Sequence, residues 1–166
     1  MQLGRFWRHL IATRWAVRRV FPDAALLAIE AAVHAGERLH DGEVRFAVET
    51  ELGWQELLRG ITPRQRAIEV FSLLRVWDTE RNNGVLIYLL FADRDVEIVA
   101  DRGIDRRVGQ GTWEELCRGM EAAFRAGRYA DGVEAGIAEL NALLETHFPR
   151  GEGGTRNELP DRPVVM

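Results

Sequence analysis

The 166-residue sequence contains no lysine, one cysteine and two tyrosines. The absence of lysine indicates a GC-rich coding bias rather than a function. The single Cys117 excludes an internal disulfide, and its place in a helical pattern predicts a buried, inert thiol. No apolar run is long enough to span a bilayer, and the basic N-terminus lacks the apolar core and cleavage site of a secretory signal. We therefore expect a soluble protein in a reducing cytoplasm.

Two further classes of function are excluded by what is scarce. The four histidines are scattered along the chain without cysteine partners, so a zinc cluster is not expected. The net charge of -4 gives no broad attraction for nucleic acid, and the five tryptophans are not paired into a stacking platform. The length and the 46% hydrophobic content fit one globular domain. We expect a monomer and leave an unknown protein partner open.

Two helices are predicted before the turn signal Asp41-Gly42. The first covers residues 5–20 and mixes arginines with apolar residues at helical spacing. The second begins with Asp23 as its cap and ends near Gly36. We expect this helical hairpin, residues 1–40, to pack on the domain with its arginines in solvent. The alternative is that the basic amphipathic helix lies on an anionic membrane surface.

A βαβ unit followed by a hairpin forms the predicted sheet. Residues 44–48 alternate between apolar and polar, which predicts a half-buried strand. Thr62 and Gln65 form a capping box that opens a helix, and the apolar run 85–91 predicts a strand buried on both faces. Residues 96–100 then return antiparallel. The predicted fold is α/β, a mixed sheet of about four strands sandwiched between helices, over residues 41–149.

The remainder of the chain is predicted to be mainly helical. Residues 101–111 read as a polar loop, and Thr112 is the expected cap of a helix that Gly127 ends. A last helix covers residues 131–148. From Arg150 the sequence is polar and glycine-rich, so residues 150–166 are expected to be a disordered tail.

The acidic residues are divided between the two ends of this predicted sheet. Glu49, Glu51, Asp93 and Asp95 lie at the carboxyl ends of the parallel strands. Open parallel sheets usually bind ligands at that end, but a hairpin closes it here. We therefore interpret Asp93 and Asp95 as a solvated turn.

The opposite end carries the more promising oxygen donors. Asp78, Asn83, Asp101 and Asp105 are predicted to converge there, and Ca²⁺ or Mg²⁺ would suit such a set. With amides near Thr112 at a helix start, the same end could also hold a phosphate ester. The competing interpretation is that these residues are turn formers that bond backbone amides.

The order and spacing of several motifs over residues 67–148 resemble the TPM domain family. The matching pieces are Asn83-Gly84-Val85-Leu86, Asp93-Arg94, Val96-Glu97-Ile98, Asp101-Arg102-Gly103-Ile104 with Asp105, Phe124 with Gly127 and Tyr129, and Gly132-Val133-Glu134-Ala135-Gly136-Ile137. The earlier Gly42-Glu43-Val44-Arg45 also fits. The resemblance therefore extends over nearly the whole folded part.

The resemblance implies an α/β/α sandwich on a mixed sheet. It also implies divalent-cation binding, chiefly of calcium, near the sheet edge in some members. Acid phosphatase activity is assigned to some members, and a plant thylakoid relative is linked to photosystem II repair. This chain lacks the secretory signal, linker and membrane anchor of many members and looks like a short bacterial branch without an assigned function. Asp101-Arg102-Gly103 replaces the family's frequent Gly-Tyr-Gly and adds a carboxylate.

Three hypotheses of function follow. The first is an accessory domain that binds Ca²⁺ or Mg²⁺ through Asn83, Asp101 and Asp105, with Asp78 next. The second is a metal-assisted acid phosphatase in which the same carboxylates hold the metal. The third is peripheral attachment to a membrane through the basic N-terminal helix.

Overall fold

The computed structural model describes residues 2–151 and 157–166, with residues 2 and 3 described by their backbone only. Within these residues the chain forms eight α-helices and four β-strands. The elements are α1 (Gln2–Ile11), α2 (Arg14–Val20), α3 (Asp23–Gly36), β1 (Glu43–Glu49), α4 (Trp54–Leu58), α5 (Pro63–Leu73), β2 (Gly84–Leu90), β3 (Asp95–Ala100), α6 (Arg102–Val108), α7 (Gln110–Arg125), α8 (Tyr129–His147) and β4 (Val164–Val165).

One mixed sheet has the strand order β3-β2-β1-β4. β1 and β2 are parallel, with Val44 opposite Val85, and β2 and β3 form the predicted antiparallel hairpin, with Val85 opposite Ala100. The βαβ unit, the hairpin and the mixed sheet are thus confirmed. They place the start of β2 beside the end of β3, which is where the candidate site lies.

The fourth strand comes from the segment expected to be a disordered tail. That prediction is wrong for residues 157–166: β4 pairs with β1 in parallel, with Ala47 opposite Val164, and the Met166 N–H donates to the Val48 carbonyl at 2.9 Å. Leu159 is buried in the core. A short apolar run covers an otherwise unpaired edge of β1, which outweighs the polar composition of the tail. Residues 152–156 of the predicted tail lie outside the described residues.

Helices cover both faces of the sheet, as predicted. Apolar residues of α3, α7 and α8 pack on one face, and α5 packs on the other. The close contact of α7 and α8 needs Gly132 and Gly136, because a Cβ at Gly136 would lie 2.5 Å from the Met120 sulfur. In the described part of the chain, none of the helices combines the length and apolarity needed to cross a membrane.

β1 is buried along its whole length, although its alternating pattern predicted a half-buried strand. The two polar side chains in the first half of β1 are covered by the C-terminal segment. Glu43 accepts the N–H groups of Glu158 and Leu159 at 3.1 Å, and Arg45 donates to the Pro160 carbonyl. Their polarity therefore reflects contacts with the tail rather than with solvent.

Two predicted boundaries in the helical segments are wrong. The helix expected over residues 5–20 is interrupted, because the Thr13 hydroxyl accepts the Ala16 N–H at 3.2 Å and caps a new helix. The loop expected over residues 101–111 contains α6, with Asp101 as its N-cap and Gly109, at φ 83°, as its junction with α7. Thr112 is therefore inside α7, and its hydroxyl donates to the Val108 carbonyl. The capping box at Thr62 is confirmed.

Candidate functional site

Asn83 immediately precedes β2 and is held on two sides. Its N–H donates to the Thr79 hydroxyl at 3.1 Å, and its side-chain amide donates to the Asp41 carbonyl. The side chain is buried, with the residue only 5% exposed. Its carbonyl oxygen, Oδ1, is buried without a hydrogen-bond partner. The Asn83 side chain thus donates a hydrogen bond but accepts none.

Asp101 immediately follows β3 and lies beside the start of β2. The Asp101 N–H donates to the Gly84 carbonyl at 2.8 Å, which joins the two strand ends. Its Oδ1 accepts the Arg102 N–H at 2.6 Å, while Oδ2 is buried without a hydrogen-bond partner. One carboxylate oxygen therefore serves the helix cap and the other has no donor.

The backbone brings these two side chains to the same end of the sheet. Gly103 is required for this approach, because a Cβ there would lie 2.4 Å from the Asn82 carbonyl oxygen. A buried acceptor without a donor costs on the order of 1–3 kcal/mol, and such acceptors are rare in native proteins. Two of them on adjacent strand ends indicate a position that a donor or a cation would stabilise.

A third buried side-chain oxygen without a partner lies near the start of β1. Glu37 Oε1 accepts the Val44 N–H at 2.8 Å, and Oε2 is buried without a hydrogen-bond partner. Burial, together with the nearby charges of Glu43 and Asp161, raises the pKa of Glu37 to about 8. A full negative charge on Glu37 is thus unfavourable at neutral pH.

The other two predicted ligands have separate partners. Asp105 lies one turn further along α6, and its Oδ1 accepts the Trp113 indole N–H at 3.2 Å. Asp78 is exposed, with its Oδ2 3.1 Å from an Arg75 nitrogen. The structure therefore places Asn83 and Asp101 on adjacent strand ends, while Asp105 and Asp78 are bound to other partners. Among the residues that the structure describes, no three or more His, Cys, Asp or Glu form a group that could hold a metal ion.

A cavity of about 320 Å³ opens beside Asn83. Asp41 and Gly103 line it together with Asn83, and Arg81 and Arg107 add positive charge. Arg81 lies 2.7 Å from an Asp41 oxygen, and Arg107 stacks on the Phe148 ring at 4.9 Å. The cavity therefore combines oxygen acceptors with guanidinium groups, which can hold a cation together with its anion.

The predicted phosphate cradle at Thr112 is not formed. The Thr112 N–H donates to the Gly109 carbonyl at 3.3 Å, because α7 begins two residues earlier than expected. An amide that is already bonded within a helical turn is not a free donor for phosphate.

The hairpin tip carries a cluster that the sequence interpretation missed. Asp93 was interpreted as part of a solvated turn, but its side chain is only 7% exposed and lies 2.7 Å from Arg5, 3.0 Å from Arg8 and 3.2 Å from His9. Burial alone would raise the pKa of Asp93, but the hydrogen bonds from His9, Arg5 and Arg8 outweigh it and hold the pKa well below its usual range. The segment before Asp23 contains five arginines and no acidic residue. This excess of positive charge was the feature of the sequence that could have predicted an acidic partner elsewhere in the chain.

A second missed network lies at the carboxyl end of β1. Glu49 accepts two N–H groups of Arg66, at 2.7 and 2.8 Å, and the Tyr88 hydroxyl at 2.5 Å. Burial and the Glu49 charge raise the pKa of Tyr88, so its hydroxyl stays protonated and continues to donate. Since both carboxylate oxygens of Glu49 are partnered, we interpret this network as structural.

A second cavity, about 570 Å³, lies between β3 and α7 and is acidic. Burial, together with repulsion from Glu97 and Glu121, raises the pKa of Asp95 to about 7. Cys117 also lines this cavity. Burial raises the pKa of Cys117 to about 12, which agrees with the inert thiol predicted from the sequence.

Comparison with known proteins places the chain in a family. The family model of the TPM domain matches residues 18–143, which is most of the chain. The chain belongs to the TPM domain family. The resemblance found in the sequence motifs is thereby confirmed.

Two solved structures have the same fold as this TPM domain. The BA42 protein from the psychrophilic bacterium Bizionia argentinensis is 27% identical, with a TM-score of 0.76 over 86% of this chain and 93% of that chain. The N-terminal domain of a protein from P. gingivalis is 19% identical, with a TM-score of 0.55 over 71% of this chain and 72% of that chain. Among proteins with curated functions, none matches the sequence.

Proposed function

We propose that this TPM domain is an accessory domain that binds a divalent cation, calcium rather than magnesium, where β2 starts beside the end of β3. Asn83 Oδ1 and Asp101 Oδ2 are the protein ligands of this site. The observation that carries the proposal is that both oxygens are buried, on adjacent strand ends, without a hydrogen-bond donor.

The donor chemistry fits a hard cation. Calcium takes six to eight oxygens with flexible geometry, so one carboxylate oxygen and one amide oxygen supply part of its shell and water and backbone carbonyls the rest. Magnesium demands a nearly ideal octahedron and dehydrates reluctantly, which a two-oxygen site on a fixed backbone satisfies less well. With one carboxylate, we expect a dissociation constant on the order of 10⁻⁴ to 10⁻³ M.

A calcium titration followed by backbone amide shifts tests the proposal. The full chain should show saturable shifts at Asn83, Gly84 and residues 101–103. Asp101→Asn keeps an N-cap of similar strength but removes the charge. The calcium affinity obtained from these shifts should therefore fall by about tenfold. Asp78→Asn is the matched control, because this exposed carboxylate pairs with Arg75 and should leave the titration unchanged.

The same titration also tests whether Asp105 is a calcium ligand. If its bond to Trp113 persists when calcium binds, Asp105→Asn leaves the affinity unchanged; if α6 rearranges to add it as a ligand, the affinity falls as in Asp101→Asn. If millimolar calcium causes no amide shifts at the strand ends that carry Asn83 and Asp101, the proposal is contradicted.

A metal-assisted acid phosphatase is the second candidate. The observation in its favour is the cavity beside Asn83, in which Arg81 and Arg107 provide guanidinium groups suited to phosphate. The cation would polarise the phosphoryl oxygen and activate a water. Hydrolysis of a chromogenic phosphate ester should then fall in both Asp101→Asn and Arg107→Gln. Activity that is unchanged in Asp101→Asn would belong to a contaminant.

A further inference from the structure

Helix α1 turns its polar side towards the domain. Arg5 and Arg8 bind Asp93 at the hairpin tip, at 2.7 and 3.0 Å. His9 is buried between them and the sheet, accepts the Leu52 N–H at 2.9 Å and lies 3.2 Å from Asp93. The contacts that dock this helix are therefore ion pairs and hydrogen bonds, in place of the apolar packing by which most helices attach.

The apolar side of α1 consequently faces outward. Phe6 is 41% exposed, Trp7 60%, Leu10 63% and Ile11 71%. These four residues recur at intervals of one, three and four, so they share one side of the helix opposite Arg5 and His9. Soluble proteins rarely expose such a contiguous set, and those that do use it to bind something.

Helix α2 adds an exposed tryptophan that lies among arginines. Val17 is 1% exposed and packs in the core, which places Trp15 on the opposite side at 69% exposure. Arg14, Arg18 and Arg19 are exposed around it, and the Arg19 guanidinium lies 5.7 Å from the Trp15 ring centre. We call Phe6, Trp7, Leu10, Ile11 and Trp15 the outer face.

The charge around the outer face has one sign. The first 22 residues contain five arginines and no acid, whereas the other 17 arginines of the chain stand against all 26 acidic residues. The segment that carries the outer face is therefore strongly positive and the remaining chain strongly negative. An anionic surface would attract the outer face and repel the rest, which sets the orientation of docking.

We infer that the outer face docks on an anionic lipid surface. Interfacial helices carry tryptophan, phenylalanine and leucine on one side and arginine around them, and the tryptophan ring suits the headgroup region. The polar side of α1, which lies in water in a free interfacial helix, is here bound to the domain. The helix thus lies between the membrane surface and the body of the protein, attached to the latter through Asp93.

Co-sedimentation of the full chain with vesicles tests this inference. Vesicles of mixed phosphatidylcholine and phosphatidylglycerol should pellet the protein at low salt, and vesicles of phosphatidylcholine alone should pellet much less. Binding should weaken at high salt because the arginine contribution is screened. The tryptophan emission should shift to the blue on binding, since an interfacial indole leaves water.

Three variants separate the apolar contribution from the charge. Trp7→Ala with Trp15→Ala should weaken binding by about tenfold, because the loss of two interfacial rings removes much of the apolar contact. Arg18→Gln with Arg19→Gln should reduce the preference for anionic vesicles. Trp77→Ala is the matched control, since Trp77 is 49% exposed on another part of the molecule and should bind as the parent chain does.

Three results would overturn the inference. The first is no pelleting with anionic vesicles at low salt, and the second is equal binding by the double tryptophan variant. The third is self-association without lipid that depends on Trp7, measured by sedimentation velocity, because the outer face would then bind a second copy. All variants replace exposed side chains, and their circular dichroism and thermal unfolding should match those of the parent chain.

Discussion

The two ends of the sheet differ in the kind of polar group that lacks a partner. At the hairpin tip the surplus is of donors: Arg5, Arg8 and His9 all lie close to Asp93, and Arg5 Nη2 and His9 Nε2 have no hydrogen-bond partner of good geometry. At the other end the surplus is of acceptors, Asn83 Oδ1 and Asp101 Oδ2, although Arg45 Nε on the tail side of β1 is an unpartnered donor.

This difference shows where a binding site is to be sought. Asp93 and Asp101 are both aspartates at ends of the same sheet. The N-terminal helix supplies cations to Asp93, whereas Asp101 Oδ2 has no hydrogen-bond donor. Because a buried carboxylate needs partners, we assign the proposed cation to the end where partners are missing. The following experiments test this comparison.

The largest effect is expected from Asp93→Asn. The variant leaves Arg5 and the buried His9 without a charged acceptor, which should lower the free energy of unfolding by about 3 kcal/mol. Chemical denaturation measures this value, and limited proteolysis should show early cleavage in α1. A change of less than 0.5 kcal/mol, about that expected for the exposed Asp78→Asn, would mean that α1 does not depend on Asp93.

The two ends should respond to pH with opposite signs. The pKa of Asp93 is held low in the folded state, so its stabilisation is present above its unfolded value of 3.8 and is lost as the pH falls. The pKa of Glu37 is raised from 4.5 to about 8, so the folded state holds a proton that the unfolded state releases. Stability from Glu37 is therefore full below pH 4.5 and declines as the pH rises to 8.

Glu37→Gln isolates this decline. Glutamine can still accept the Val44 N–H but does not ionise, so the unfolding free energy of the variant should decline less than that of the parent chain between pH 4.5 and 8. Denaturation at several pH values gives both curves. Parallel curves for the two proteins would show that Glu37 does not contribute to the pH dependence.

The smallest effect is expected from Asp101→Asn without calcium. Asparagine caps a helix as well as aspartate, and the oxygen that is lost has no donor, so stability should change by less than about 0.5 kcal/mol. Thermal unfolding in a chelator measures this. A loss as large as that of Asp93→Asn would show that Oδ2 has a partner in solution, and the contrast between the two ends would disappear.

Much of the fold could be predicted from local patterns. The apolar run of β2, the capping box at Thr62 and the hairpin between β2 and β3 each depend on neighbouring residues, and each was confirmed. The exceptions depend on distant partners. β4 forms only because the edge of β1 is available to it, and Glu43 and Arg45 are buried only because that segment covers them.

The candidate site was predictable in place but not in composition. Topology alone puts Asn83 and Asp101 on neighbouring strand ends. The partners of Asp105 and Asp78 could not be predicted, because they depend on where α6 begins and on which arginine lies near each carboxylate. Asp93 was misinterpreted for a similar reason: its three partners lie more than 80 residues earlier in the chain.

The most direct test is the effect of calcium on the unfolding free energy of the parent chain, Asp93→Asn and Asp101→Asn. A ligand that binds only the folded state stabilises it in proportion to the logarithm of its concentration. The account predicts that calcium stabilises the parent chain and Asp93→Asn to the same extent and stabilises Asp101→Asn much less, because this variant binds calcium about tenfold more weakly. Equal stabilisation of Asp101→Asn, or no stabilisation of the parent chain at millimolar calcium, would contradict it.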